Sequence, residues 1–527
     1  MNMKKAIHYI AIAAFTSGVL TGCTKNFEEI NTDTNQVTVN NYKPEYSLTR
    51  AQLEFAGNHD FSYETWRVNI IYCSLMMQQL ANTSWYAGDK YMQNDGWAAS
   101  YFDVAYKDQV KYIVDMMEIT KSNPQYANQY QIARIMKVLL FHRITDLYGD
   151  IPYSEAGQGF YKRIFTPKYD AQKVIYADML KELDEAGRAL DVTKDKPGTG
   201  DLMYGGKADQ ILKWKRFANS LMLRLAMRMT KVDPTTAKAW AEKAAAAGVM
   251  TSNEDNAFMM HDLSDGRNNV NRNSNILGGE WNGTGWDKGA GGSTDLMLSK
   301  TLVDFLKSNN DPRMKYMSQV RLNKDVTAAN QLGMPNGYDQ NGGANDISKA
   351  PNWPGNIRNY STIRGDVMLK LNGATFFQSY AEVELLLAEA AFRGWNVGGT
   401  AAGHYAKGIE ASMKQMQQYD AAAIITDAEV SAYLAANPYD QTKALEQINT
   451  QYWAATFLNW YETFANWRRS GFPVLTPVNY PGNATGGQIP RRMLYPTSES
   501  SANGVNYAEA IARQGANTFL TRVWWDK

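Results

Sequence analysis

Three stretches of the 527-residue sequence set aromatic side chains among asparagine, glycine, aspartate and proline rather than on apolar stripes. They are Asn82-Thr83-Ser84-Trp85-Tyr86-Ala87-Gly88-Asp89-Lys90-Tyr91, Gly279-Glu280-Trp281-Asn282-Gly283-Thr284-Gly285-Trp286-Asp287 and Asn352-Trp353-Pro354-Gly355-Asn356-Ile357-Arg358-Asn359-Tyr360. A tryptophan in such surroundings has few apolar sequence neighbours to bury it. Its flat ring can stack on the C–H face of a sugar, while Asn, Asp and Arg at the rim pair with hydroxyls. Peptides can use the same kind of surface. The candidate ligand-binding residues are Trp85, Tyr86, Tyr91, Trp281, Asn282, Trp286, Trp353 and Arg358. The competing structural reading is that a loop tryptophan folds back and plugs the end of a helix pair, and it weighs most on Trp353, beside Pro354.

The familiar catalytic signatures are absent from the sequence. There is no His-Glu-x-x-His, no Gly-x-x-x-x-Gly-Lys-Ser/Thr, no Gly-x-Ser-x-Gly and no Cys-x-x-Cys. His59, His142, His261 and His404 are far apart and none sits in a ligand pattern, so they read as structural or surface residues. Asp33-Thr34-Asn35 starts like a calcium loop but lacks the glycine and the terminal glutamate. No metal site or cofactor is expected. Carboxylate pairs for glycoside hydrolysis stay open, because two acids distant in sequence meet only in the fold. With 54 basic and 53 acidic residues and no basic block, the chain carries no electrostatic footprint for nucleic acid.

Chemistry of another kind is written at the N-terminus. Lys4 and Lys5 precede an apolar run over 6–20 that ends in Leu20-Thr21-Gly22-Cys23. The run, about 15 residues, is too short to span a bilayer and reads as a secretory signal with a lipobox. Residues 1–22 are then a signal peptide and Cys23 is the site of lipid attachment. Each buried methylene adds roughly 0.8 kcal/mol, so a three-chain anchor is effectively permanent. The polar, acidic stretch 23–45 suits a tether. Nothing later is apolar for long enough to span a bilayer. Cys73 is left without a partner once Cys23 is lipidated, and reads as a small buried residue.

The elements that must position these groups are helical. Ile175, Met179, Leu183, Ala186 and Leu190 fall at steps of four and three, the pattern of a one-faced amphipathic helix. The same reading predicts helices over about 46–82, 97–120, 126–148, 209–231, 235–248, 378–394, 402–418, 427–436 and 440–464. Short Pro, Asn or Gly breaks join them in pairs, and the segment 380–395 followed by Tyr405, Ile409 and Met413 reads like a tetratricopeptide unit. Trp214, Trp460, Trp467 and Trp524 lie on or beside helical patterns and are assigned to packing. Arg224 and Arg228, four apart on one helix, and Asp146 are assigned to buried ion pairing. Residues 46–527 are expected to form one helical domain with a loop-rich insertion over about 250–375.

Taken in order, several motifs resemble those of the SusD/RagB nutrient-binding outer-membrane lipoproteins of Bacteroidetes. They are the lipobox followed by Phe27-Glu28-Glu29-Ile30-Asn31-Thr32-Asp33, Leu139-Leu140-Phe141-His142-Arg143-Ile144-Thr145-Asp146-Leu147-Tyr148-Gly149-Asp150-Ile151-Pro152-Tyr153, and Trp214-Lys215-Arg216-Phe217-Ala218-Asn219-Ser220-Leu221-Met222-Leu223-Arg224-Leu225-Ala226-Met227-Arg228, together with the 380–395 stretch and Trp467-Arg468-Arg469-Ser470-Gly471-Phe472-Pro473. The resemblance implies an all-α body, a solenoid of tetratricopeptide-like helix pairs with long inserted loops. It implies a non-catalytic role at the outer-membrane surface, capturing oligosaccharides for a SusC-like TonB-dependent transporter. The alternatives kept beside it are the same role for oligopeptides, a protein-docking scaffold, and a surface glycan-degrading enzyme.

Overall fold

The computed structural model describes residues 42–59, 63–265, 269–278 and 296–527. The signal peptide, Cys23 and most of the tether lie outside the described residues, as do Trp281, Asn282 and Trp286. Residues from Pro44 to Lys527 form one compact unit.

That unit is predominantly helical. Its main helices are α1 (Pro44–Ala56), α2 (Asp95–Val104), α3 (Lys111–Thr120), α4 (Ala127–Tyr148), α5 (Gln172–Ala189), α6 (Gln210–Arg228), α7 (Pro234–Ala247), α8 (Lys300–Ser308), α9 (Tyr380–Phe392), α10 (Ala401–Lys414), α11 (Asp427–Ala436), α12 (Ala444–Ala455), α13 (Trp460–Ser470) and α14 (Gly504–Gln514). Local chemistry sets their ends. Asp233 caps α7 ahead of Pro234, and Ser379 with Glu382 forms a capping box that starts α9. The apolar stripe of α5 is buried as its period requires, Ile175, Met179, Leu183 and Ala186 all being inaccessible.

Successive helices stack in a solenoid: α3 on α4, α4 on α5, α5 on α6, and α6 on α7. A second run packs α9 on α10 and α12, and α12 on α13. Small residues permit the closest crossing. A Cβ on Gly408 of α10 would come within 2.7 Å of Leu385 Cγ on α9, so only glycine fits there.

The two runs are clamped by buried charge. Arg228 of α6 makes two 2.7 Å hydrogen bonds to Glu462 of α13 and one of 3.2 Å to Asp146 of α4. Arg224 donates to Glu382 of α9 at 2.7 Å, and the Tyr452 hydroxyl of α12 donates to Glu462 at 2.7 Å with Glu382 also within reach at 3.0 Å. The Arg224–Arg228–Asp146 ion pairing expected from sequence is therefore present. Burial pushes the Glu382 carboxyl up, whereas the Arg228 and Arg224 guanidiniums overcome burial and hold Glu462 down to about 2.

Two predicted helices are broken. The stretch 46–82 ends as α1 at Ala56, because Gly57 takes φ +141° where a Cβ would meet Arg272 Cγ at 2.3 Å. The chain then winds as a π-helix over Thr65–Ser74 and ends in strand β1 (Leu80–Asn82). The stretch 440–464 is interrupted between α12 and α13, where Leu458 adopts φ +74°. The 97–120 helix is continuous through α2 and α3 by way of a π-wound turn over Ala105–Val110.

Short strands appear beyond the helices, several of them within the described part of the loop-rich insertion. Strands β2 (Ile151–Pro152) and β3 (Tyr169–Asp170) form a hairpin on the body. The insertion leaves through β4 (Ala257–Met260) and returns through β8 (Ala374–Gln378), which pair antiparallel and tie its ends together. Inside it β5 (Leu296–Leu298) pairs with β1, and β6 (Ser318–Val320) with β7 (Ser361–Ile363). A satellite core of Ala81, Met297, Met334, Ile347, Ala350 and Tyr360 forms beneath, with Trp353 partly buried against it.

Candidate functional site

The first aromatic loop is the centre of the candidate site, in company that its own sequence did not reveal. Trp85 is 44% exposed and meets Tyr86, Trp97 and Trp66 edge-on, with ring centroids 4.3, 5.5 and 5.9 Å away. At the centre lies the guanidinium of Arg67, 3.8 Å from the Trp66 ring, 4.6 Å from Trp97, 4.8 Å from Tyr63 and 5.4 Å from Trp85. Arg67 is 9% exposed, makes no ion pair among the described residues, and leaves Nε and Nη1 without a hydrogen-bond partner there. Its charge is compensated by π-faces, each worth about 0.5–2 kcal/mol.

Three elements converge to make this arrangement. The π-wound segment carries Trp66 and Arg67. It is fixed from behind by α13, since Asn69 donates to Leu458 O and accepts from the Tyr461 N–H. The loop is pressed onto the same segment at Gly88, where a Cβ would lie 1.8 Å from Ile71 O. The buried Lys90 ammonium holds the loop's base by donating to Asn82 O at 2.7 Å, and Asp89 accepts from Asn336 at 3.1 Å. Third, Asn94 caps α2 by accepting from the Trp97 N–H, which sets Trp97 in the first helical turn beside Trp85. Exposed Gln93 and Asp95, hydrogen-bonded to each other at 2.7 Å, give that edge a polar rim.

Just beneath, Glu64 is 1% exposed, and burial raises its carboxyl to about 7. It accepts from the Asn58 N–H at 2.6 Å.

The structure divides the predicted site residues. Trp85 keeps part of its side chain exposed. Tyr86 and Tyr91 do not: they are 0% and 1% exposed, so the expectation that they face ligand is corrected to a supporting role. The Tyr91 hydroxyl accepts from the Val478 N–H at 3.1 Å, at a residue held at φ +53°. Trp353 folds back onto the satellite core, tilted against Tyr360 at 5.9 Å, and Arg358 lies in the same turn with its Nε buried. Tyr63, Trp66, Arg67 and Trp97 went unread because they lie within stretches of helical period.

The other candidates resolve structurally. Trp214 and Trp460 are fully buried, Trp467 is 8% exposed, and Trp524 packs against Tyr176. His142 is buried and pushed well below its usual range by burial and by Arg224. Burial takes His261 down to about 4, and His404 pairs with Glu384 at 2.6 Å. Cys73 is buried and free. Among the described residues no cluster of His, Cys, Asp and Glu is placed to hold a metal ion, and no helix is long and apolar enough to cross a membrane.

A SusD-like family model, described as starch-binding and associating with the outer membrane, matches residues 34–496. The chain belongs to the SusD-like family. Among solved structures, this SusD-like chain is similar to a chitin-binding protein at 34% identity, with a TM-score of 0.78 over 92% of this chain and 100% of that one. A Bacteroidetes SusD-like protein shares 26% identity at a TM-score of 0.78, covering 92% and 100% of the two chains. A chitin-binding SusD homologue from Flavobacterium johnsoniae shares 25% at 0.74, covering 92% and 98%. A search of curated proteins returned no match. SusD-like proteins are carbohydrate-binding proteins associated with the outer membrane, and their helical fold is the one seen here.

Proposed function

We propose that this chain is a non-catalytic lipoprotein, anchored through Cys23 to the outer membrane at the cell surface. It captures oligosaccharides and delivers them to a SusC-like TonB-dependent transporter. The observation that carries the reading is the partly exposed aromatic face of Trp85, Tyr63 and Trp97 around the Arg67 cation. Flat rings take the apolar C–H face of a pyranose, and the cation beneath attracts its oxygens. The chitin-binding relatives at 34% and 25% identity favour β-linked N-acetylglucosamine oligomers as the ligand class. Trp353 and Arg358 remain proposed as a lesser contact region on the insertion. Trp281, Asn282 and Trp286, outside the described residues, remain proposed as further contributors. Signal 1–22, tether 23–45 and a single domain 46–527 complete the proposed organisation.

Calorimetric titration of the mature chain tests this, with chito-oligosaccharides, malto-oligosaccharides and mixed peptides in parallel. Binding of one glycan class that weakens in Trp85→Ala supports the reading. Binding of peptides alone transfers the same role to oligopeptides, and turnover of any glycan overturns the non-catalytic assignment. Deleting the transporter should abolish uptake and leave binding by the isolated chain intact.

A further inference from the structure

A cleft of about 530 Å³ adjoins the first aromatic loop and shares no lining residue with the Trp85 cage. Its volume falls in the range of roughly 300–1,000 Å³ usual for small-ligand sites. Three stretches distant in sequence wall it: the first turns of α8, the insertion over 335–345, and the C-terminal segment over 476–479.

The walls are tied together by polar groups that are already engaged. Gln78 sits at φ +51°, a backbone conformation that residues other than glycine rarely adopt. Its amide bridges two walls, Nε2 donating to Thr476 O at 2.5 Å and Oε1 accepting from the Thr301 hydroxyl at 2.9 Å. Asn336 accepts from the Ser299 hydroxyl at 2.6 Å and donates to Leu80 O at 2.8 Å and to Asp89 at 3.1 Å. Gly337 brings the insertion against the C-terminal segment: at its φ of +86° a Cβ would lie 2.6 Å from Val478 Cγ1. The Val478 N–H donates to Tyr91, which fixes the same corner to the aromatic loop. Asp89 follows Trp85 by four residues, so their α-carbons are at most roughly 14 Å apart.

Other lining groups are the reverse, with hydrogen-bonding capacity to spare. The side chains of Tyr338, Asn345 and Thr476 enter no hydrogen bond among the described residues. Asn479 uses its Oδ1, which accepts from Asn483 at 3.2 Å, and keeps its Nδ2 free. The half-buried Tyr338 ring and the two prolines, Pro335 and Pro477, add apolar surface between them. Charge cancels: the lining carries one cation and one anion, Lys300 and Asp304, which stand four apart on α8 and pair with each other. A charged ligand therefore meets no unmatched counter-charge here. A neutral, hydroxyl-rich ring meets hydroxyl and amide partners together with flat apolar contacts.

We propose that this cleft is a second sugar subsite, separate from the Trp85 cage, that takes an uncharged pyranose unit through Tyr338, Asn345, Thr476 and Asn479. This rests on the carbohydrate-binding reading above and adds a place to it. The engaged groups of Gln78 and Asn336 hold the walls before a ligand arrives, so binding orders little that is not already ordered.

The test is saturation-transfer NMR with a chito-trisaccharide and a malto-trisaccharide, on the chain from residue 24 and on its Trp85→Ala variant, which disables the cage. Transfer to one trisaccharide should persist in Trp85→Ala. Its apparent affinity should fall at least about five-fold when Asn345→Ala and Asn479→Ala are added, the loss of two hydrogen bonds. Tyr338→Ala in their place should act likewise, with a thermal melt as folding control because that ring also packs on the satellite core. Loss of all transfer in Trp85→Ala alone overturns the proposal and leaves the cage reading intact. Transfer that Trp85→Ala does not weaken, but Asn345→Ala/Asn479→Ala abolishes, upholds the proposal and overturns the cage reading. Transfer indifferent to Asn345→Ala/Asn479→Ala and to Tyr338→Ala overturns the proposal, and so do variants that lose only copurification with the transporter, which makes the cleft a protein contact. No transfer to any chain overturns both.

Discussion

Replacing Trp85 with alanine asks whether the exposed half of its ring is a binding platform. The ring is 44% exposed, and its buried half leans on Trp66, Tyr86 and Trp97. A tryptophan contributes roughly 150–250 Å² when fully covered, so about 100 Å² of Trp85 is available to a ligand. At about 25 cal/mol per Å², a sugar covering half to all of that area gains roughly 1.3–2.5 kcal/mol, about an 8- to 70-fold effect on Kd. The assay is titration calorimetry of Trp85→Ala and Trp85→Phe against the tightest oligosaccharide found for the parent chain. Far-ultraviolet circular dichroism and a thermal melt serve as the folding control. Phenylalanine keeps the edge contacts and part of the face, so its loss should fall between parent and alanine. A folded Trp85→Ala chain whose Kd moves less than two-fold would falsify the placement of the site.

Arg67→Met keeps the stem volume and deletes the cation, and should weaken oligosaccharide binding several-fold by calorimetry with little change in melting. In the buried network, Arg228→Met removes the principal partner of Glu462 and should cost at least about 3 kcal/mol in a denaturant titration, because a carboxylate is left in the core. Glu64 titrates near 7 in the fold against 4.5 unfolded, so its contribution is greatest below pH 4.5 and falls by about 3 kcal/mol as pH rises through 7. Glu64→Gln should remove that slope from stability measured between pH 4.5 and 8. Glu389 has the opposite sign: despite its burial, Arg469 and Arg393 hold it at about 2, so about 3 kcal/mol present above pH 4.5 should be lost as pH falls to 2. Unfolding curves across that acid range check it.

Helices were legible where period and caps agree. The 427–436 helix matches in full, because Thr426 and Glu429 write a capping box at its start. The ion network was legible in part: Arg224 and Arg228 stand on the apolar stretch Leu221–Arg228, where a buried cation needs an acid, and Asp146 was named as one, but Glu382 and Glu462, brought in from distant helices, were not. The break at Gly57 was not legible, since a single glycine in a helical period is tolerated as often as it ends a helix. What decides it is the Arg272 stem, more than two hundred residues away. Composition also misled at Tyr86 and Tyr91. The polar loop is folded down by the Gly88 approach and by the buried Lys90 and Asp89, which no local pattern announces. One signal for the missed partners was present: Asn94-Asp95-Gly96-Trp97 places a tryptophan in the first turn of a capped helix, where a side chain projects from the helix end.

The cage depends on the whole chain rather than on the loop that displays it. Trp66 and Arg67 are presented by a π-wound segment whose back is held by Leu458 and Tyr461, nearly four hundred residues later. The same segment runs on to Met77 and Gln79, whose partners are Trp453 and Trp460. The α12–α13 break at Leu458, missed from the sequence, is therefore what brings a carbonyl to Asn69 and sets the winding that points Arg67 at the tryptophans. Helical period reports which face of a segment is buried but not what lies behind it. A site assembled on a buried segment by contacts of this range is invisible to local pattern, and only its most exposed member, Trp85, shows through.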